Sequence, residues 1–436
     1  MKKIILSTVA ITTLALTGAS ADTGSDIAEM KAMMKQMSQR LAKVEAENKQ
    51  LKAHKKSTHK KRSSSKHVVT SKKEQDKIAS LEEKVEVLEK KYTKATPVFA
   101  KTSKLKFSGQ HYLGFVSKKA TGTSSTNNFE MRRNYLQVKA YLFDDPKSYL
   151  RVTLDETTGN GDNTLRFKYA YLYLNDVLPY TGVEVGQSHR PWLDYEEHQG
   201  WYHRAVDKTF TESKESADLT NSADMGVNFK TKTPYFTSEL GLFNGEGYHS
   251  SDNGAGLSAE WRLTAAFLGN GDKKRHARKS TYFDASFWGQ YNVKNALNNN
   301  QTYKIYGFHT VYNTPSFLVS AQYNIADNTN NIIANPVSNR MHHNGHGYSV
   351  NADYRFGEDY KYDLFARYDK WTAKDPANIV ANANIEHFLY GVAWEQNKNV
   401  TWYLNGKHYN PKDGFNYAGS GKNKFDAFML TAEINW

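Results

Sequence analysis

The chain has 436 residues and no cysteine, which excludes disulfide cross-links, thiolate metal sites and cysteine nucleophiles. Its net charge of +13 is uneven, since residues 1–100 hold 21 Lys or Arg against 11 Asp or Glu and the remainder is close to neutral. Aromatic residues form 13% of the chain, which is typical of membrane barrels with interfacial aromatic girdles and also of secreted β-sandwiches.

Residues 1–21 have the pattern of a secretory signal peptide. Lys2 and Lys3 give a charged start, an apolar stretch follows over 4–16, and small residues occupy 19–21. The apolar stretch is too short to span a bilayer as a helix. The pattern predicts an exported protein whose mature chain starts at Asp22.

Residues 22–100 form a predicted helical extension. Apolar residues recur at alternating spacings of three and four over 27–51, and a second such run covers 78–92. This periodicity predicts a coiled coil, in which Asn48 at a core position would fix the register. The alternative is an amphipathic helix that lies on another surface. We expect the extension to lie in the periplasm.

The tract 52–73 separates the two helical runs. It carries nine Lys or Arg, three His and no acidic residue. Such a composition is typical of a solvated linker, and the alternative is a contact with anionic polymers of the cell wall. Export argues against nucleic acid as a partner.

From residue 101 onward the sequence alternates between apolar and polar residues with turn signals between the runs. The runs lie near 105–116, 131–142, 148–155, 165–175, 181–188, 223–230, 235–243, 257–268, 281–293, 302–312, 317–326, 347–356, 361–371, 386–395, 400–409 and 425–436. Sixteen is an even number, as bacterial barrels require, and short turns alternate with longer polar loops such as 117–130 and 189–222. The connection 269–280 breaks that alternation. We predict an all-β transmembrane barrel of 16 antiparallel strands over 101–436, set among the lipids of a Gram-negative outer membrane.

The last predicted strand ends on an aromatic residue. Phe428, Leu430, Ala432 and Ile434 alternate with polar or smaller residues up to Trp436. This ending resembles the terminal signal of bacterial outer-membrane barrels. It predicts recognition of Trp436 by the barrel assembly machinery.

Strand parity separates lipid-facing from lumen-facing side chains, because successive residues of a strand point to opposite faces. The inward set carries cations and carboxylates in similar numbers, and the alternative to a role in solute binding is that they form ion pairs across strands. A polar interior predicts a water-filled channel. The strand 165–175 fits both parities and is left unassigned. The candidate pore-lining, anion-binding residues are Arg132, Arg133, Lys139, Arg151, Arg262, Arg355 and Arg367.

The longest predicted loop, 189–222, is dense in rings and charges. We expect it to fold into the lumen as a constriction loop, since that would bury its rings, and the alternative is an extracellular flap. The candidate constriction residues are Trp192, Asp194, Glu196, Glu197, His198 and Arg204.

Three segments carry a resemblance to a known family. They are Arg132-Arg133 ahead of the turn 144–146, the run 169–172, and the run 183–187 that leads into 190–192. Together they resemble the phosphate-selective porin O and P family. The resemblance implies a sixteen-stranded homotrimer that takes up anions through basic lumen residues, with Arg132 and Arg133 matching the paired arginines at the pore centre.

Two hypotheses for function follow. The first is a passive channel for small hydrophilic solutes with some anion preference, phosphate being one candidate. The second is a mainly structural role, in which the coiled coil and the tract 52–73 tether the membrane to the cell wall. The sequence has neither a Gly-x-Ser-x-Gly nor a His-Glu-x-x-His motif, so we expect no enzyme, no metal site and no cofactor.

Overall fold

The computed structural model describes residues 104–141, 145–159, 162–249, 256–269, 275–295, 301–328, 344–373, 383–412 and 424–436. The predicted signal peptide, the coiled coil over 27–51 and 78–92, and the basic tract 52–73 lie outside the described residues.

The described residues form a closed antiparallel β-barrel of sixteen strands, which confirms the predicted fold class for this part of the chain. Each strand pairs with its neighbours in sequence, and β1 pairs with β16. The strands are β1 Leu105–Ala120, β2 Thr126–Ala140, β3 Tyr149–Gly159, β4 Asp162–Leu178, β5 Thr181–His189, β6 Ala223–Lys232, β7 Phe236–Phe243, β8 Ser258–Leu268, β9 Tyr282–Asn295, β10 Gln301–Asn313, β11 Phe317–Asn328, β12 Gly345–Phe356, β13 Tyr362–Ala373, β14 Ala383–Asn397, β15 Val400–Lys412 and β16 Phe425–Asn435.

The seam between the first and last strands extends to the end of the chain. The amide of Gly109 donates to the carbonyl of Trp436 at 2.9 Å, and the amide of Trp436 donates back at 3.1 Å. These bonds extend the β1–β16 ladder by one pair beyond β16 itself. The closed ladder leaves no unpaired strand edge, as a sheet needs in a medium that cannot hydrogen-bond to it.

Burial alternates along the strands with a period of two. In β12, Asn351, Asp353 and Arg355 are buried, while Val350 and Tyr354 between them are exposed. Polar side chains therefore point into the barrel and apolar side chains point out of it. This is the reverse of a soluble barrel, whose interior would be apolar.

Two connections are shorter than the sequence predicted. The loop expected over 117–130 is reduced to 121–125, because β1 continues to Ala120 and β2 begins at Thr126. β3 and β4 likewise continue until only 160–161 separate them. The added strand residues are mostly polar, so no apolar alternation marked them as strand.

Two β-bulges place one extra residue each in β2 and β4. Tyr112 pairs with Arg133 and Leu113 with Met131, which leaves Arg132 without a partner in β1. In the same way, the pairing of β3 with β4 skips Lys168. A bulge puts two successive residues opposite one, and both extra residues here are cations that turn inward. In a regular strand, whose successive side chains alternate between the two faces, Arg132 would lie on the outer face.

Helix is confined to short turns in the described residues. The loop between β5 and β6 holds α1 (Leu193–Tyr195) and a π-helical turn (Glu196–Gly200), and a 3₁₀ turn (Glu358–Tyr360) joins β12 to β13. Across the part of the chain that the structure describes, no helix is both long and apolar enough to cross a membrane.

The bulge in β2 makes a deletion experiment informative. Deleting Arg132 restores regular pairing and leaves the facing of every other β2 residue unchanged, so we expect the barrel to fold. Deleting Leu136 instead shifts the part of β2 on one side of the deletion by one residue and turns the apolar side chains of that part inward. We therefore expect the Leu136 deletion variant not to fold. Heat-dependent migration in SDS gels and circular dichroism measure both outcomes. Equal folding of the two deletion variants would contradict the assignment of the bulge.

Candidate functional site: the interior of the barrel

The segment 190–222, called here the inner loop, lies inside the barrel against the interior face of β8 to β15. The Tyr195 hydroxyl donates to Asp284 at 2.6 Å, and Asn351 donates to the carbonyl of Gly200 at 2.9 Å. Both wall residues are buried on the interior face. The loop is therefore anchored on the wall of β8 to β15, and a buried cluster also joins its Trp201, Ala205 and Val206 with Tyr112 of β1.

Stacked indole rings fix the first turn of the inner loop. Trp192 stacks on Trp288 of β9, with ring centroids 5.0 Å apart and planes 2° apart. The Trp192 indole also donates to Thr211 at 3.1 Å within the loop. Gly307 of β10 makes room, because a Cβ there would lie 2.0 Å from the Trp288 nitrogen.

Glu197 and Arg204 belong to an ion-pair network inside the loop. Arg204 lies 2.5 Å from Glu197 and 2.6 Å from Glu212, and Lys208 lies 2.9 Å from Glu212. Burial opposes ionisation of both glutamates, but Arg204 outweighs it and holds their pKa below the usual range. The network is therefore charged, and its carboxylates are neutralised locally.

Asp194 and His198 are more exposed than Glu197 and Glu212. Asp194 is 3.7 Å from His189 and 3.5 Å from His198, whose side chain is 67% exposed. Desolvation opposes ionisation of Asp194, but these two histidines hold its pKa well below the usual range. In turn, the Asp194 carboxylate raises the pKa of His198.

Glu196 behaves differently from its neighbours, because it points at the wall. Its side chain is buried and accepts a hydrogen bond from Gln322 of β11 at 2.7 Å. Among the described residues no cation forms an ion pair with it. Burial therefore raises the pKa of Glu196 to about 7, so the docked loop favours the protonated acid.

Three of the seven predicted pore-lining cations lie under or beside the docked loop and are neutralised there. Arg262 pairs with Glu239 at 3.0 Å and donates to the carbonyl of Pro191. Arg355 and Arg367 form ion pairs with wall aspartates, and Arg367 also donates to a loop carbonyl. Arg262 and Arg367 therefore help to hold the loop in place, through hydrogen bonds to the carbonyls of Pro191 and Lys208.

The connection that broke the predicted alternation also turns inward. In its described part, 275–281, Arg278 pairs with Asp363 of β13 at 3.1 Å, and Asn313 donates to the carbonyl of Ser280 at 2.7 Å. Asp284 accepts hydrogen bonds from both Arg275 of this turn and Tyr195 of the inner loop. The turn therefore supports the loop from the end of the barrel where β1 begins, and its two arginines have carboxylate partners.

The opposite wall, formed by β2 to β4, carries several cations that have no carboxylate partner among the described residues, whereas its Asp155 pairs with Arg166 at 3.1 Å. The guanidinium of Arg133 lies 4.5 Å from the centre of the Tyr135 ring, and the Lys139 ammonium lies 4.3 Å from that of Tyr149. Arg151 lies over the Tyr169 ring at 4.5 Å. Among the described residues, none of these three cations is within ion-pair distance of a carboxylate. Tyrosine faces orient them and leave their charge in place.

Both bulge residues join this wall. Arg132 reaches β16, where it donates to Thr431. Lys168 donates to the Tyr135 hydroxyl at 2.6 Å and is fully buried. Sequence reasoning missed Lys168, since the bulge makes both parities of β4 plausible. The set is called the basic wall from here on and comprises Arg132, Arg133, Lys139, Arg151 and Lys168.

A serine and a histidine meet where the loop docks, but they do not form a hydrolytic site. The Ser216 hydroxyl lies 3.2 Å from His387 and gives its proton to Asp369 at 2.5 Å. All three side chains are inaccessible to solvent. The hydroxyl therefore cannot act as an activated nucleophile on a solute, and the contact serves docking.

Comparisons with known proteins identify the fold. No protein-family model and no curated protein matches the sequence. The solved structures that match include OmpT of Vibrio cholerae in a trimer form (15% identity, TM-score 0.51, covering 76% of this chain and 99% of that one). They also include an anion-selective porin from Comamonas acidovorans (11%, 0.54, 76% and 99%) and Salmonella typhi OmpF in complex with daunomycin (12%, 0.54, 76% and 97%). At these identities the likeness shows a shared barrel fold.

Glu196 predicts a pH dependence of loop docking. The raised pKa of Glu196 means that its protonated form stabilises the docked loop. This contribution is complete below about pH 4.5, the usual pKa of a glutamate, and is lost as the pH rises through about 7, the pKa of Glu196 in the docked loop. We expect current noise from loop motion to increase over this range in single-channel recordings. Glu196→Gln should flatten the dependence. Glu197→Gln is the control and should leave the pH dependence unchanged, because Arg204 already lowers the pKa of Glu197. An identical pH profile for wild type and Glu196→Gln would contradict the assignment.

Proposed function

We propose that the protein is an outer-membrane porin, a passive channel for small hydrophilic solutes with a weak to moderate preference for anions. One observation carries the proposal: the interior of the barrel carries the basic wall, whose cations lack carboxylate partners among the described residues. A channel of this kind needs no catalytic group and no cofactor.

The anion preference follows from where charge is neutralised. The arginines under and beside the loop and those of the turn 275–281 pair with carboxylates, and Glu197 and Glu212 pair with Arg204. A tyrosine face attracts a cation through its quadrupole, which carries no net charge. The field in the interior is therefore set mainly by the basic wall, and Asp194 opposes it from the loop.

Oxyanions are the solute class that this wall fits best. Arg132 and Arg133 present planar guanidinium groups from successive positions, and a guanidinium keeps its charge at any physiological pH. Such groups can donate two parallel hydrogen bonds to a phosphate-like or carboxylate ligand. Phosphate is one such solute. A solved barrel that shares the fold is described as an anion-selective porin, which is consistent with the proposal.

Arg133 provides the direct test. Its removal takes one unneutralised charge from the basic wall, so we expect Arg133→Ala to shift the zero-current potential across a KCl gradient toward zero. Added phosphate should lower chloride conductance in the wild type and less in the variant. Planar-bilayer recordings measure both effects.

Lys370→Ala is the matched control for Arg133→Ala. Lys370 lies on the outer face of β13 opposite Tyr348 of β12, so its removal changes net charge equally without changing the lumen, and selectivity should stay at the wild-type value. A cation-selective wild-type pore, or an Arg133→Ala pore with unchanged selectivity, would rule out the role given to Arg133 and leave a general porin.

A second candidate function is a tether between membrane and cell wall. The heptad runs 27–51 and 78–92 and the basic tract 52–73 motivate it. Removing residues 22–95 should leave a conducting barrel and reduce co-sedimentation with isolated cell wall. Replacing only the nine cations of 52–73 by Gln tests the tract separately. Unchanged co-sedimentation of both variants would exclude the tether.

A further inference from the structure

Three cations stand side by side on the interior face of β1, β2 and β3. Lys106 pairs with Lys139 across the ladder, and Lys139 pairs with Arg151. Directly paired residues share a face of the sheet, so all three point into the barrel. Like charges placed in this way repel each other, and none of the three forms an ion pair with a carboxylate of the described residues. The set Lys106, Lys139 and Arg151 is called the cation row.

Part of the donor capacity of the cation row is available to a ligand. Lys106 is exposed, and Lys139 is partly exposed. Arg151 donates through Nε to Thr153 and through Nη1 to the Tyr171 hydroxyl. Its Nη2 has no hydrogen-bond partner among the described residues. Two ammonium groups and one guanidinium nitrogen can therefore donate to a bound anion.

Three tyrosines form a second row, at the next inward position toward the end of the barrel where β1 begins. The Tyr149 ring contacts the rings of Tyr141 and Tyr173, with centroids 5.7 Å and 5.2 Å apart. All three side chains are partly exposed. Lys139 lies over the Tyr149 ring, whereas no cation of the described residues lies over Tyr141 or Tyr173. The set Tyr141, Tyr149 and Tyr173 is called the tyrosine row.

The backbone holds both flanking rings of the tyrosine row in place. A Cβ at Gly182 of β5 would lie 2.7 Å from two carbons of the Tyr173 ring, so the glycine lets this ring lie directly against the strand. The amide of Tyr141 donates to the carbonyl of Lys104 at 2.7 Å, which extends the β1–β2 ladder beyond the end of β2. The two rings are therefore parts of the wall with defined positions.

We propose that the cation row and the tyrosine row together form a subsite for aromatic carboxylates, of which benzoate is the simplest. The proposal rests on the proposed function and deepens it, because it names a solute class for the channel. The carboxylate accepts charge-assisted hydrogen bonds from the cation row, while the aromatic ring packs against Tyr141 and Tyr173. Aromatic pairs gain affinity from edge-to-face and offset contacts beyond the area that they bury. A sugar acid is the alternative occupant and becomes an outcome of the test.

Block of the chloride current by organic acids tests the subsite in planar bilayers. Benzoate and cyclohexanecarboxylate carry the same carboxylate on rings of similar size, but only benzoate has π electrons. We expect benzoate to half-block the wild-type channel at about a fivefold lower concentration than cyclohexanecarboxylate. Acetate, which has no ring, should block less than both. Glucuronate is the probe for the sugar-acid alternative, and all four acids are added as potassium salts at constant ionic strength.

Substitutions assign the effect to the two rows. Tyr141→Leu and Tyr173→Leu each keep an apolar side chain without a ring, so the half-blocking concentration of benzoate should rise toward that of cyclohexanecarboxylate. Tyr173→Phe keeps the ring and should retain the difference. Lys106→Gln should weaken the block by benzoate and by acetate by the same factor. Tyr348→Leu, on the outer face of β12, is the matched control and should change none of these values.

Equal half-blocking concentrations of benzoate and cyclohexanecarboxylate in the wild type would overturn the proposal, and so would a benzoate preference that survives both leucine variants. A stronger block by glucuronate than by benzoate would overturn it in favour of a sugar-acid site. Calorimetric titration of the purified protein with benzoate measures binding without conduction. A protein that binds benzoate but does not conduct would refute the channel and not the subsite, whereas a conducting channel without the preference would refute the subsite alone.

Discussion

The pairing of the first strand with the last governs the rest of this structure. Once β1 and β16 are joined, every strand has two neighbours and every side chain is assigned to an inner or an outer face. A residue of one face cannot move to the other without shifting a whole strand by one position. The polar interior, the apolar exterior and the docking surface of the inner loop all follow from this assignment.

Two of the register shifts in the described pairing, one in β2 and one in β4, each admit an extra inward cation. Each bulge adds a cation to the interior without reversing the strand on either side. The basic wall therefore has a higher density of positive charge than a regular sheet would allow. Tyrosine rings of β2 to β4 lie against Arg133, Lys139, Arg151 and Lys168 and carry no charge that would neutralise them.

Much of the fold could be predicted from the sequence, because the alternation of apolar and polar residues in strands such as 425–436 indicates which side chains lie on the outer face and which on the inner face. The inward placement of Arg133 and Arg151 follows from the same rule. Lys168 could not be predicted, since a bulge leaves no mark in composition or periodicity. The particular carboxylate partners of Arg262, Arg355 and Arg367 could not be predicted either, because parity gives a face but not a partner.

The division of the interior into two halves affects how such a protein can diverge. Contacts that anchor the inner loop lie on β8 to β15, whereas the unpaired cations lie on β2 to β4. In the proposed channel, a substitution in the basic wall would change which solutes pass while the anchoring network remains intact. Selection on the proposed function could then act by single substitutions, without a variant in which the loop is no longer anchored.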